Sequence, residues 1–289
     1  MKHKAYQMTQ SELKQLQQTQ IEIIAEVDRI CKKHGIRYNM VGGTMLGAIR
    51  HKGYIPWDDD ADIGFLRDEY EKFRAICRTE LDPDKFYMQD LRDTPGYRWG
   101  YGKLRRCGTE FVRLNQEKMP YGMGISIDLM PFDNVPDGEF ARRWHFLRCF
   151  IYRKFFWSHI GKDTAAHWWQ RLCFRVMDLI PMETLASSYS DFIEQCRSYG
   201  RTDLVRILTF PTPKGEGIFG YERRWYEELE DYPFEQLQLP GAADYDGYLK
   251  VKYGSYMKLP PENKRKVHPI SKLTLLKEQE EAAEDGKEV

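Results

Sequence analysis

Asp60 and Asp62 stand two residues apart in the run PWDDDADIG (56–64), where four aspartates fall within five positions beside an apolar stretch. Packed carboxylates repel one another, so such a cluster is either solvated or neutralised by a cation. In an extended chain the side chains at i and i+2 share a face, and ADIGFL (61–66) reads as a buried strand. Asp60 and Asp62 therefore project together toward a divalent cation. Magnesium, or manganese in its place, takes one or two carboxylates plus substrate phosphates. Asp128 repeats the theme as a single acid inside GISIDLMPF (124–132), a strand expected to end at Pro131. If the two strands are neighbours, Asp128 is a third ligand or the base beside an attacking hydroxyl. Two metal ions about 4 Å apart would then clamp an in-line displacement at phosphorus. For Asp58 and Asp59 the plainer reading is a solvated acidic loop, since aspartate favours turns; Asp58 then supports the ligands from outside.

These acids need elements to hold them. IRYNMV (36–41) reads as a short strand running into Gly42-Gly43-Thr44, and MLGAIRHKG as a helix ending at Gly53. A glycine pair between strand and helix lets backbone N–H groups approach a phosphate at the helix N-terminus. Upstream, Thr9 and Glu12 form a T-x-x-E capping box. Leu13, Leu16, Ile23, Ile24, Val27, Ile30 and Cys31 follow at helical spacing, with a stop at His34-Gly35. DEYEKFRAICRTEL reads as a helix, and KFYMQ, RWGYGKLRR and TEFVRL as strands. From Gly138 to about Gly200 the pattern becomes helical and rich in aromatic and basic residues. Short strands (LVRILTF, GIFGY), turns and a helix near DYDGYLKVKYG complete the chain. The resulting expectation is an α+β core of a mixed sheet flanked by helices, with a helical insertion. Residues 1–135 and 201–270 form the core, 138–200 the insertion and 271–289 a charged tail.

Bulk properties exclude several classes. Lys+Arg and Asp+Glu are both 44, so the formal charge is zero, which argues against a general nucleic-acid binder. No apolar run is long enough to span a bilayer, and the N-terminus shows no secretory apolar region. The six cysteines are scattered without a CxxC, as expected for reduced thiols in a cytoplasmic protein. Arg142, Arg143, Arg148, Arg153 and Lys154 lie among Phe and Trp. They read either as a helix pair resting on an anionic membrane, giving peripheral contact through 140–180 at the inner face, or as a packed pair with snorkelling arginines. His268 by itself reads as a surface histidine.

A strand, a glycine turn and a helix, then a D-x-D strand and a later lone-Asp strand, resemble the nucleotidyltransferase superfamily that contains DNA polymerase β. The run VGGTMLGAIRHKGYIPWDDDADIGF is closer still, and resembles the signature of the LicD-type phosphotransferases, related to fukutin and fukutin-related protein. The likeness continues through GKLRRCGTEF, ISIDLMPFDNVP and YDGYLKVKYGSYMKLPPENKRKVH, and is weakest in 138–200. No cysteine-rich zinc insertion of the kind in fukutin-related protein is visible.

The resemblance implies transfer of a phospho-alcohol, typically phosphocholine, from a CDP-activated donor such as CDP-choline to a glycan hydroxyl, releasing CMP. The acceptor would be a free or lipid-linked glycan such as lipopolysaccharide or teichoic acid. The resemblance puts metal binding on Asp60 and Asp62, supports Asp128 as third acid, and puts Gly42, Gly43 and Thr44 at the donor phosphates. A diphosphate also needs cationic donors, for which Arg50, Lys52 and Lys103 are the candidates. Trp99, Tyr101 and Tyr121 offer an aromatic cage for a choline cation. Nucleotide transfer with release of pyrophosphate, and a non-catalytic glycan- or nucleotide-binding module, are the alternatives.

Overall fold

The computed structural model describes residues 5–212, 219–265 and 267–276. Helix α1 (Gln10–His34) opens the chain. The Thr9 hydroxyl accepts from the Glu12 N–H (3.2 Å) and the Glu12 carboxylate accepts from the Thr9 N–H (2.7 Å), which completes the capping box. Gly35 ends the helix in the left-handed region at φ +62°. The buried stripe from Leu13 to Cys31 packs on the sheet and on α3.

β1 (Asn39–Met40), α2 (Gly42–His51), β2 (Asp62–Leu66) and α3 (Arg67–Glu80) follow. Next come β3 (Phe86–Gln89), β4 (Gly102–Arg106), β5 (Glu110–Arg113) and β6 (Ser126–Asn134). Helices α4 (Glu139–Thr164), α5 (Trp168–Met177) and α6 (Met182–Ser198) are consecutive. After them come β7 (Leu204–Arg206), β8 (Tyr221–Glu222), α7 (Arg224–Glu227), β9 (Leu229–Phe234) and β10 (Leu237–Ala242). The chain then forms α8 (Tyr245–Tyr253) and β11 (Ile270–Thr274). The main sheet runs β1-β2-β6-β4-β3, with β7 on the far end of β6 and β8 on β7. Only the β2–β6 pair in it is parallel. The chain is therefore α+β, a mixed sheet flanked by helices.

β6 does not stop at Pro131 but continues to Asn134. The Asp128 N–H donates to Ala61 O on the β2 side. Successive N–H groups alternate in direction, so the nitrogen of Pro131 faces away from β2. There β4 has already ended, with Gly102 opposite Leu129, and β7 begins only at Asp133. No ladder donor is needed in that gap, and proline is tolerated. The β9–β10 hairpin went unread because Pro233 and Pro240 mask its alternation.

α4 and α6 close a second apolar cluster, with Cys149, Tyr152 and Phe156 against Tyr189, Phe192 and Ile193, joined by Leu91, Tyr97 and Leu208. β11 pairs with β5 through Thr274, so regular structure continues into the stretch assigned to the tail. The charged run KEQEEAAEDGKEV itself lies outside the described residues. All six cysteines are free thiols, and no helix among the described residues is long and apolar enough to cross a membrane.

Candidate active site

β2 and β6 are in register with Asp62 directly opposite Asp128. β4, on the other side of β6, puts Lys103 opposite Asp128, and the Lys103 ammonium donates to Asp128 Oδ1. Directly opposed residues share a face of the sheet, so three charged groups from three neighbouring strands converge.

Asp62 is held from several sides. Its N–H donates to the Thr44 hydroxyl (2.8 Å), and its carbonyl accepts from the Val41 N–H (3.2 Å). Its Oδ2 lies where a Cβ on Gly42 would come within 2.7 Å, and a Cβ on Gly43 would come within 2.9 Å of Asp58 Oδ2. The glycine pair therefore admits two carboxylates to the backbone, and Gly42 also takes φ +59°. The helix begins at Gly42 itself, earlier than the sequence suggested. The Gly42 N–H donates to the Tyr248 hydroxyl (2.8 Å). Gly43 and Thr44 sit in the first turn, where N–H groups lack intrahelical acceptors.

The acidic loop is not solvated. Asp59 is fully buried. Its Oδ2 accepts from the His268 backbone N–H (3.1 Å), and its Oδ1 lies 2.8 Å from His268 Nδ1. From α1, Gln17 Nε2 donates to Asp58 O (2.9 Å), and Gln20 Nε2 donates to Asp59 O (3.0 Å) and Ser126 O (3.1 Å). The first helix thus fixes the loop and the start of β6 together.

The electrostatics call for positive charge. Burial, then Asp60 and Asp128, push Asp62 well above the ordinary carboxylate range, and Lys252 opposes them. Burial and Asp60, with which it shares a hydrogen bond, push Asp58 up to about 8. Asp59, Asp60 and His268 present ligand atoms within 4.8 Å of one another. Carboxylate oxygens with at most one imidazole are a hard donor set that fits Mg²⁺ or Mn²⁺.

The expected cations divide. Lys103 is at the acids, and burial lowers its pKa despite Asp128. Lys52 is exposed, caps the C-terminal end of α2 at φ +61°, and lies about 15 Å along the helix from Gly42. Arg50 is also at that end, donating to Tyr256 O (2.8 Å) and to His51 Nε2 (2.9 Å). Two further cations lie near the acids: Lys252, whose Nζ is 3.4 Å from the Cβ position on Gly42, and Arg113, 3.7 Å from Asp60 Oδ2. Neither was singled out from the sequence; Lys252 lay inside the quoted KVKYG run. Trp99 and Tyr101 line a cavity of about 350 Å³ with Arg98, Arg153 and Lys154. Tyr121 instead packs on Tyr97 at 5.2 Å. Tyr121 still reaches Trp99, and the cationic lining of the cavity opposes a choline cation there.

The profile described as LicD/FKTN/FKRP, nucleotidyltransferase domain, matches residues 35–188. The chain belongs to this family. The matched span takes in Gly42–Thr44, Asp60, Asp62, Lys103 and Asp128, and ends before Lys252 and His268. The lipopolysaccharide cholinephosphotransferase LicD of Haemophilus influenzae is 26% identical over 276 residues, covering 91% of this chain and 98% of that protein. An uncharacterized protein of Rickettsia prowazekii is 35% identical over 119 residues, 41% of each chain. The human ribitol 5-phosphate transferase FKRP is 28% identical over 98 residues, 34% of this chain and 17% of its own length. By their names, the Haemophilus and human relatives both transfer a phosphorylated alcohol.

Proposed function

We propose that this protein transfers a phospho-alcohol, phosphocholine first, from a CDP-activated donor to a glycan hydroxyl, releasing CMP in the cytoplasm. The observation that carries the reading is the Asp62–Asp128 register, with the Asp62 carboxylate against the backbone of Gly42. It is supported by likeness to a cholinephosphotransferase over nearly that protein's whole length.

Asp60, Asp62 and Asp128 would hold the divalent cation, Mg²⁺ or Mn²⁺, which when bound offsets diphosphate charge and polarises phosphoryl oxygens. The Gly43 and Thr44 N–H groups and Lys252 bind the donor phosphates. Arg113 orients Asp60, and Lys103 holds Asp128. The acceptor hydroxyl oxygen bonds to the distal phosphorus, and its proton passes to Asp128. The bond from that phosphorus to the bridging oxygen breaks, and CMP carries away the electron pair.

Phosphorus NMR of the purified protein with CDP-choline and a bacterial glycan extract, with and without Mg²⁺, tests this. Metal-dependent CMP and a new phosphodiester signal are expected. CDP-ribitol as the sole productive donor would move the reading to ribitol phosphate. Pyrophosphate release from a nucleoside triphosphate, with the nucleotide retained on the acceptor, would replace it by nucleotidyl transfer. Ligand binding without metal-dependent turnover would leave a binding module.

A further inference from the structure

α4 is apolar on two opposite sides. One side, with Cys149, Tyr152 and Phe156, is buried against α6 and the core. At 3.6 residues per turn, Phe140, Trp144, Leu147, Phe150 and Ile151 lie on the other side, and all are exposed, Phe140 by 85%. A helix that is apolar all round is normally enclosed. α5 extends the feature. None of its residues is buried. Trp168 is 75% exposed, and Trp169, Leu172, Val176 and, just beyond the helix, Leu179 are also exposed. α5 is anchored to α4 by Phe174, whose ring edge reaches within 2.6 Å of the Cβ position on Gly161. So many exposed large apolar residues on two adjoining helices mark an interaction surface.

Its charge identifies the partner class. Residues 140–180 hold eight arginines and lysines against two aspartates, in a chain whose total charge is zero. Asp178 is already engaged by Arg98, His159 and Lys162. Arg171 and Arg175 are exposed on α5, and neither they nor Arg153 and Lys154 have a carboxylate partner among the described residues. A second copy of the chain is a poor occupant. A two-fold interface sets the same patch against itself, and here that would oppose arginine to arginine. Aromatic and aliphatic side chains interleaved with unpaired cations suit an anionic lipid surface, where the rings enter the acyl boundary and the cations meet headgroups. We infer that the exposed face of α4 and α5 docks this protein on an anionic membrane as a peripheral contact.

Flotation of the full chain tests this, using phosphatidylcholine vesicles with and without phosphatidylglycerol. Association only with the phosphatidylglycerol vesicles, at low salt, is expected. Each cation removed by Arg171→Gln or Arg175→Gln should weaken it about fivefold. Trp144→Ser with Trp168→Ser should abolish it. Both tryptophans are exposed, so these variants keep the fold, which thermal unfolding checks. Brominated acyl chains should quench tryptophan fluorescence in the parent chain. Absence of flotation with anionic vesicles overturns the inference. So does equal binding to neutral vesicles, or a dimer dissolved by the tryptophan pair in a chain that ignores lipid.

Discussion

Asp59 and His268, 209 positions apart, are joined twice: the His268 N–H donates to Asp59 Oδ2 at 3.1 Å, and Nδ1 lies 2.8 Å from Oδ1. This contact ties the segment before β11 to the acidic loop before β2. The same Nδ1 lies 3.5 Å from Asp60 Oδ2, so the histidine also sets where Asp60 points.

His268→Ala should therefore do two things. It exposes a carboxylate that is otherwise fully enclosed, at a cost of about 1–3 kcal/mol in urea unfolding. It also loosens Asp60, which should lower turnover roughly 10- to 100-fold, the range for a group that orients a metal ligand. His268→Gln, which can still hydrogen-bond, should recover part of the stability. Unchanged turnover in His268→Ala would remove the histidine from the site.

Asp62→Asn separates stability from activity. Burial and the neighbouring acids disfavour the ionised form of Asp62, so a neutral isostere relieves repulsion in the metal-free fold. The melting temperature without metal should rise by the equivalent of about 1 kcal/mol, while transfer falls by about three orders of magnitude or more. Gly42→Ala should lose both. Its Cβ would lie 2.7 Å from Asp62 Oδ2 at a φ of +59°, costing about 1–2 kcal/mol and displacing the carboxylate.

Much of this site was legible locally. A capping box, an i, i+2 acid pair entering an apolar strand, and a lone aspartate in another apolar strand are short-range patterns, and β2 and β6 carry them side by side. What escaped depends on contacts distant in sequence. The burial of Asp59 comes from Gln20 and His268, and the nearness of Lys252 to Asp62 comes from packing of α8 on α2. Arg50 and Lys52 lie away from the glycine pair because proximity in sequence becomes a helix length in space once α2 forms.

Lys252 and Lys52 make a matched pair for that point. Lys252→Met keeps the aliphatic stem but removes the cation beside Asp62 and the glycine turn. The donor KM should rise about tenfold or more, the loss of one charge-assisted phosphate contact. Lys52→Ala, at an exposed helix end, should leave both kcat and KM within about twofold. Steady-state kinetics with varied donor would read both, and equal losses in the two variants would contradict the geometry.

His145 supplies a pH dependence independent of the acids. Its ring is buried against Phe192 at 5.2 Å, and neither ring nitrogen has a hydrogen-bond partner among the described residues. Burial, with Arg206 and Arg148 nearby, pushes its pKa from 6.5 down to about 3. The unfolded chain takes a proton here below 6.5, and the folded chain refuses it until about 3. The contribution to stability is therefore intact above 6.5 and is lost as the pH falls through that window, at up to about 1.4 kcal/mol per pH unit. Asp58 and Asp62, whose raised pKa values let the folded chain hold protons that the unfolded chain releases, act in the opposite direction over the same range, so the histidine is read as the difference in urea midpoint between the parent and His145→Leu. His145→Leu, which fills similar space without an ionisable ring, should gain stability relative to the parent as the pH falls from 6.5 to about 5. A difference that stays constant over that range would show that the acid sensitivity lies elsewhere.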